Sequence, residues 1–200
     1  MDVTLRGNEV VLRPIKPEDA PALFSAASES REHYSLTAVP ATLEEARTYI
    51  RNALAQTDRM TFAVEWKRRV AGTTSFLDMQ TWSWPSGSPM QRSGRPDVVE
   101  IGSTWLAASA QHTRCNTAAK LLLLRYAFET WSVHRVTLKT DERNTRSRRA
   151  IERLGARFEG IRRAERPATD GTVRNSAYYS IVLSEWPNVR ERLEGILNRG

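Results

Sequence analysis

The fold is decided by residues 98–158, which read VVEIGSTWLAASAQHTRCNTAAKLLLLRYAFETWSVHRVTLKTDERNTRSRRAIERLGARF. Runs that alternate between apolar and polar residues predict strands, and longer apolar runs predict helices. The predicted elements, in order, are a strand at Val98–Leu106, a polar loop at Ala107–Asn116, a buried helix at Thr117–Trp131, a strand at Arg135–Thr140 and a second helix that begins after Asn144 and ends at Gly155. This order indicates a sheet flanked by helices.

The first of these strands is predicted to present two different faces. Its two alternating sets are Val99, Ile101, Ser103 and Trp105 on one side and Glu100, Gly102, Thr104 and Leu106 on the other. Glu100 is therefore expected opposite Val99 and Ile101. Gly102 removes a side chain inside the strand, which permits a bulge or the close approach of another group.

The two loops that lead into helices have anion-binding and capping chemistry. The first backbone N–H groups of a helix are unpaired and the helix dipole is positive there, so the polar loop before the buried helix predicts an anion site. Asn144 is a typical N-cap residue, and Ser147 follows at the third helical position. Gly155 suits a left-handed C-cap.

Three segments resemble the GCN5-related N-acetyltransferases (GNAT), and within them the branch that acetylates ribosomal-protein N-termini (RimJ/RimL-like). They are EIGSTWL at residues 100–106, QHTRCNTAAKLLLLRYAFE at 111–129 and NTRSRRAIERLGARFEG at 144–160. The first is similar to the family's fourth strand and the second to its acetyl-CoA loop and helix. The third is the most specific, because it is similar to the family's segment of Asn, Ser, helix and terminal Leu-Gly. The resemblance covers residues 9–183.

The resemblance implies one GNAT domain at residues 9–183, with residues 184–200 forming a C-terminal helix packed on it. The implied fold class is α/β (α+β), a mixed, mostly antiparallel central sheet flanked by helices, with its two central strands splayed apart. The other strands are predicted at Val10–Arg13, Thr61–Trp66, Val70–Met79, Arg157–Glu165 and Asn175–Leu183, and the other helices begin at Pro17, Thr42 and Glu185. The helix after Thr42 is expected to bury Leu54 among its apolar residues.

The acetyl-CoA loop departs from the family pattern. Gln111 fits its first position, but Arg114 and Asn116 occupy the positions of two glycines. Asn adopts a positive φ more readily than most residues, whereas Arg114 would do so only at a cost. Arg114 is also expected to add a positive charge beside the phosphates.

The resemblance implies acetyl transfer to an amine by direct attack on a thioester. Such a reaction needs a base for the ammonium proton, and Glu100 is the first candidate because it precedes the expected opening of the sheet. Glu165 is the second candidate, placed by its similarity to the family. Ser147 is the candidate proton donor to the departing sulfur, with helix capping as the alternative role. A backbone N–H near Trp105 or Leu106 is expected to stabilise the oxyanion.

The remaining candidate residues bind ligands. The residues expected to contact acetyl-CoA, as co-substrate, are Trp105, Leu106, Gln111, His112, Thr113, Arg114, Cys115, Asn116, Thr117, Asn144 and Ser147. Substrate binding is assigned to Tyr34, Trp82 and Trp84, although the two tryptophans fit the end of a hairpin equally well. Arg146, Arg148 and Arg149 are either ligands of the 3′-phosphate or a solvated helix face. The histidines lack metal-ligand spacing, so no metal is expected.

The composition excludes several other classes of protein. No apolar run is long enough to cross a membrane and no secretory signal is visible, so a cytoplasmic location is expected. The single cysteine, Cys115, excludes an intramolecular disulfide and is interpreted as a small neutral side chain instead of a nucleophile. The net charge is +7, with arginine as 26 of the 30 basic residues, which suits a phosphate, RNA or acidic partner.

Three functions remain open at this level. The first is acetylation of a protein N-terminal amine, such as the alanine or serine of a ribosomal protein. The second is the same reaction on a small amine, for example an antibiotic or a polyamine. The third is a basic RNA-associated module without activity. An open cleft favours the peptide, and a cleft walled by Trp82 and Trp84 favours the small molecule. A homodimer is also possible for this family.

Overall fold

The computed structural model describes residues 3–91 and 94–199. Its strands are β1 Leu5–Arg6, β2 Val10–Pro14, β3 Met60–Trp66, β4 Arg69–Gln80, β5 Val98–Leu106, β6 Arg135–Asp141, β7 Arg157–Pro167 and β8 Val173–Val182. Its α-helices are α1 Ala20–Ser28, α2 Leu43–Ala55, α3 Cys115–Arg125, α4 Thr145–Leu154 and α5 Trp186–Asn198. The strands form one sheet in the order β1-β2-β3-β4-β5-β6-β8-β7. This confirms the expected mixed sheet flanked by helices.

The sheet divides at its centre, between β5 and β6. These strands are parallel and pair from Val98 with Arg135 to Glu100 with Thr137, whereas the other neighbouring strands are antiparallel. β5 continues to Leu106 without further pairing to β6. A V-shaped gap therefore opens just after Glu100, and the expected splay of the central strands is confirmed.

A β-bulge in β5 changes which residues share a face. The register between β4 and β5 shifts opposite Thr74, and Ser103 has a φ of 49°. One extra residue at such a bulge reverses the alternation beyond it. Leu106 therefore joins Val99 in the core below α3, and Trp105 lies in the core below α1 and α2. The expectation that Trp105 shares a face with Val99 is wrong for this reason.

The helices bury both faces of the sheet. One core contains α3 and α5 side chains such as Leu123 and Leu193, and the second contains α1 and α2 side chains such as Leu23 and Ile50. After α3 the chain continues through a π-helical turn at Tyr126–Trp131. Within the described ranges, no helix is long and apolar enough to span a membrane.

Several local expectations are corrected. α3 begins at Cys115, two residues before the predicted start, and β1 lacks a predicted counterpart because two residues are too few for a period. Leu54 is 52% exposed instead of buried, since it lies in the last turn of α2. Thr42 caps α2 as expected by accepting from Glu45 N at 3.1 Å.

Candidate active site

Glu100 lies at the point where β5 and β6 separate. Its side chain is buried, and Oε2 lies 2.8 Å from Nζ of Lys139, which projects from β6. The adjacent Gly102 makes room for the carboxylate, because a Cβ at that position would stand 2.6 Å from Oε1 of Glu100. The sequence thus places a carboxylate over a residue without a side chain, beside the opening of the sheet.

The surroundings of Glu100 bring the pKa of its carboxyl close to neutral pH. Burial raises the pKa of the carboxyl, and the hydrogen bond and positive charge of Lys139 lower it in part, leaving the pKa at about 7. Burial alone would lower the pKa of Lys139, but Glu100 more than offsets this and raises it above its usual range. Glu100 therefore has the acidity of an efficient base at neutral pH, while Lys139 remains a cation.

Glu165 reaches the same cluster from the other half of the sheet. The register of β7 against β8 shifts between Arg162 and Arg166, and this irregularity contains Glu165. Its Oε1 accepts from the hydroxyl of Tyr178 and lies 3.8 Å from Nζ of Lys139. Lys139 thus joins both candidate bases.

Glu165 differs from Glu100 in its acidity. Burial would raise the pKa of Glu165, but the hydroxyls of Ser176 and Tyr178 and the charge of Lys139 outweigh it and lower the pKa. A carboxylate with a lowered pKa is a weaker base. The environment therefore favours Glu100 over Glu165 as the proton acceptor.

The loop between β5 and α3 presents backbone N–H groups at a helix start. The first intrahelical bond of α3 runs from Ala118 N to Arg114 O, so the N–H groups of Asn116 and Thr117 lack an intrahelical acceptor. The left-handed residue of the loop is His112, with a φ of 57°. Arg114 has a φ of −71° and is unstrained. The expected backbone cost at Arg114 is therefore absent, because the chain turns two residues earlier.

The side chains of this loop point in different directions. Arg114 donates to Leu197 O at 3.1 Å and lies 3.3 Å from a carboxylate oxygen of Glu9, so it ties the loop to α5 and to the residue before β2. Cys115 is buried in the core, and burial raises the pKa of its thiol to about 12. A shallow cleft of about 430 Å³ borders the loop and includes His112, Thr113 and Thr117 in its lining. The interpretation of Cys115 as an unreactive neutral side chain agrees with its burial.

Gln111 connects the two edges of the V-shaped gap, and Asn144 caps the helix at one of them. Gln111 donates from Nε2 to Leu106 O at 2.7 Å and accepts from Arg146 of α4 at 2.7 Å. Asn144 caps α4 by accepting from Ser147 N at 3.0 Å. Within the described residues the Ser147 hydroxyl and the Asn144 amide N–H₂ have no hydrogen-bond partner, so both remain available to a ligand.

Leu106 supplies a backbone donor to the gap. Ala107 N donates to Ala71 O of β4 at 2.7 Å. Because successive N–H groups of a strand point to opposite edges, Leu106 N–H points towards β6, where pairing has ended. The indole N–H of Trp105 has no partner among the described residues, but it is buried in the core below α1 and α2 and does not face the gap. The donors available to the gap are the Leu106 N–H, the Ser147 hydroxyl and the Asn144 amide, which fit a ligand with oxygen acceptors.

The three residues assigned to substrate binding all contact other parts of the fold, and their role towards a substrate stays a prediction. Trp82 stacks on His134 at 5.6 Å between ring centroids, and Trp84 Nε1 donates to Asp97 Oδ1 at 3.0 Å. Asp97 immediately precedes β5, so both tryptophans close the end of the sheet opposite the acetyl-CoA loop. Tyr34 is buried, and its hydroxyl donates to Leu106 O at 2.8 Å.

Sequence reasoning missed three residues of the site. Lys139 and Tyr178 lie beside the gap, and Lys120 lies behind β5, where it bonds Thr104; Lys120 falls within the helix segment at 111–129 but was not singled out. The structure pairs Glu100 with Thr137, and Lys139 lies two residues farther along the same face, a register that the sequence pattern does not reveal. Among residues 3–91 and 94–199, no group of three or more His, Cys, Asp or Glu could hold a metal ion.

A sheet split beside a helix N-terminus, with a near-neutral carboxylate at the split, can hold an acyl donor next to a base, as an acyltransferase requires. The acetyltransferase (GNAT) domain family matches residues 9–157, and the chain belongs to this family. Family membership confirms the enzyme class, N-acetyltransferase, and acetyl-CoA as the co-substrate. No curated protein sequence matches the chain.

Solved structures agree with this assignment. A GCN5-related N-acetyltransferase from Brucella melitensis is 27% identical, with a TM-score of 0.84 over 98% of this chain and 85% of that chain. A protein of T. thermophilus provisionally described as an acetyltransferase is 33% identical, with a TM-score of 0.80 over 98% of both chains. Mycobacterium smegmatis RimJ, in complex with CoA-disulfide, is 20% identical, with a TM-score of 0.77 over 98% of this chain and 93% of that chain. At 20% identity, the similarity to RimJ shows that the two proteins share a fold and nothing more.

Proposed function

We propose that the protein transfers the acetyl group of acetyl-CoA to the N-terminal amine of a protein, of the alanine or serine type found in ribosomal proteins. The observation that supports a peptide acceptor is the position of Trp82 and Trp84, which pack on His134 and Asp97 at the start of β5 instead of on Glu100. On the exposed side of β5, Ser103 is open to solvent. A chain terminus can approach such a site without being enclosed.

Acetyl-CoA supplies an acetyl group activated as a thioester. The residues suited to hold it are the loop at 111–117, whose N–H groups match the pyrophosphate, and Asn144, whose amide matches the pantetheine arm. Ser147 is placed in the first turn of α4, where its hydroxyl can donate a proton to the sulfur.

Glu100 accepts the proton of the acceptor ammonium, directly or through one water, because an alkyl ammonium is not a nucleophile. Its pKa of about 7 leaves a large part of the carboxyl ionised at neutral pH. Leu106 N–H points to the gap, where a donor stabilises negative charge that develops on the acetyl oxygen. Glu165 and Lys139 keep the charge of the cluster balanced around Glu100.

Acetylation of a small amine is the competing function, and an inactive RNA-associated module has lost its support with the family assignment. A ribosomal acceptor would be met in the cytoplasm, which stays the predicted compartment. A homodimer, the boundary of the catalytic domain at residues 9–183 and the attachment of residues 184–200 to it also stay predictions.

The first experiment is a calorimetric titration of acetyl-CoA into the protein and its Asn144→Ala variant, followed by an acceptor screen. Binding that weakens in the variant supports the assigned cofactor contacts. Peptides that begin with Ser or Ala should then be acetylated at their α-amine, while the same peptides with a blocked N-terminus should not react. Acetylation of spermidine or an aminoglycoside in preference to every peptide would replace the proposal by the small-amine reaction.

A further inference from the structure

A polar cluster lies on the α3 side of β5, directly behind its bulge. Lys120 is 6% exposed, and its Nζ donates to Thr104 Oγ1 at 2.7 Å and to Thr74 Oγ1 at 3.3 Å. The two threonine hydroxyls lie 2.8 Å apart and bond each other across β4 and β5. Within residues 3–91 and 94–199, no carboxylate pairs with this lysine at salt-bridge distance.

A lysine is an unfavourable choice at this position. Burial lowers the pKa of Lys120 to about 7, and the negative charge of Glu100 offsets only part of this effect. The neighbouring positions Ala119, Leu121 and Leu123 are all apolar and buried. An apolar side chain would fill the same space without the cost of desolvating an ammonium group. Stability therefore does not account for Lys120.

The contacts of Lys120 converge on the bulge. Thr74 is the residue of β4 at which the register with β5 shifts, and Thr104 follows the left-handed Ser103. The Thr104 hydroxyl lies 3.3 Å from Gly102 O, the residue over which the Glu100 carboxylate sits. One ammonium group thus connects both strands at the irregularity that separates Glu100 from Leu106.

We propose that Lys120 is a positioning residue for acetyl transfer, which holds the bulge of β5 so that the Glu100 carboxylate and the Leu106 N–H face the V-shaped gap together. Lys120 contacts neither of these groups and acts through Thr104 and Thr74. In its protonated form it also places a positive charge behind the strand, where negative charge on the acetyl oxygen is stabilised. The proposal concerns transfer itself and does not depend on the identity of the acceptor.

The test is the Lys120→Met variant, because Met keeps the chain length without the charge and leaves Thr74 and Thr104 bonded to each other. We expect the melting temperature of the ligand-free variant to exceed that of the native protein by about 3 °C or more. The dissociation constant of acetyl-CoA should stay within about threefold, while kcat should fall at least about tenfold. If Lys120 served the fold alone, its replacement would lower the melting temperature without a separate loss of kcat.

Two further variants make the test decisive. Thr104→Val keeps the shape of the side chain but removes the acceptor of Lys120, and it should lose kcat to a similar extent. Leu123→Met is the matched control for a methionine in the α3 core, and its kcat should stay within about threefold of the native value. Turnover is followed as CoA thiol released from acetyl-CoA, with a serine-terminated peptide as acceptor and with water as acceptor where no amine reacts.

The proposal is wrong if Lys120→Met keeps kcat within about threefold of the native protein, or if only the KM of acetyl-CoA changes. It is also wrong if kcat and melting temperature fall together in both Lys120→Met and Thr104→Val, since Lys120 would then only support folding. A loss of kcat in stable variants supports it.

Discussion

Nζ of Lys139 lies 2.8 Å from Oε2 of Glu100, and this contact joins β6 to β5 at the point where the two strands part. The ammonium group stabilises the ionised form of a carboxyl that burial would otherwise keep neutral. The balance of these two effects sets the pH at which the site can accept a proton.

The first prediction is the pH dependence of the reaction. Because Glu100 must be ionised to act as a base and its pKa is raised to about 7, kcat/KM should rise with pH through a midpoint near 7. Glu100→Gln should lower kcat by about 10² to 10⁴-fold and abolish this acidic limb. The control is Glu165→Gln, which should keep the limb because the pKa of Glu165 is already low. If the acidic limb of kcat/KM survives in Glu100→Gln, another group is the base.

The second prediction compares two glycines. In Gly102→Ala the new Cβ meets the movable carboxylate of Glu100 at 2.6 Å, so the base is displaced while the fold survives. We expect kcat to fall at least about tenfold with a loss of stability below about 1 kcal/mol. In Gly72→Ala the Cβ meets the backbone oxygen of Trp105 at 2.0 Å, at a φ of +145°. That variant should lose about 3 kcal/mol or more in urea denaturation. Equal stability of the two variants would contradict this reading of Gly72.

The third prediction separates the two roles of Asn144. Asn144→Ala removes the acceptor for Ser147 N and should cost about 1 kcal/mol, which corresponds to about 2–4 °C in melting temperature. Asn144→Asp keeps a capping oxygen but loses the amide N–H₂ donor, so its melting temperature should match that of the native protein. Both variants should bind acetyl-CoA more weakly by calorimetry. If Asn144→Asp binds normally, the amide donates nothing to the pantetheine arm.

The fourth prediction concerns stability and pH at Lys120. The pKa of this lysine is about 7 in the folded protein and 10.5 in the unfolded chain, so the unfolded chain binds more protons between these pH values. The destabilisation caused by Lys120 is therefore complete below about pH 7 and decreases as the pH rises towards about 10.5. The stability advantage of Lys120→Met, measured by urea denaturation, should be larger at about pH 7 than at about pH 9.5. A stability advantage of Lys120→Met that grows with pH would contradict the lowered pKa of Lys120 in the folded protein.

The sequence predicted the framework of the site because its signals are local. The Asn144 cap, the Gly155 C-cap and the boundaries of β5 follow from residue types and spacing within one element, and all three agree with the structure. Glu100 was selected by its position before Gly102, and it does lie at the split. Its catalytic role, like that of Ser147 and Glu165, stays a prediction.

The contacts that sequence reasoning missed depend on long-range geometry. The bulge at Ser103 is invisible to a period-two pattern, and it reverses the faces of Trp105 and Leu106 relative to Val99. Lys139 and Lys120 are two of the four lysines of the chain, yet their spacing from Glu100 forms no motif. The turn of the acetyl-CoA loop at His112 likewise follows from how the loop closes on Leu106, through Gln111.

The two tryptophans beside Asp97 have a mechanical consequence. β5 and β6 are held together by a short parallel seam of three residue pairs, and His134 N donates to Asp97 O at 2.8 Å at its closed end, under the stacked ring of Trp82. The two halves of the sheet are thus joined, at this point, by three residue pairs and one further backbone hydrogen bond. The packing of Trp82 on His134 covers the closed end of that seam, so Trp82 supports the geometry of the split from the end opposite the acetyl-CoA loop.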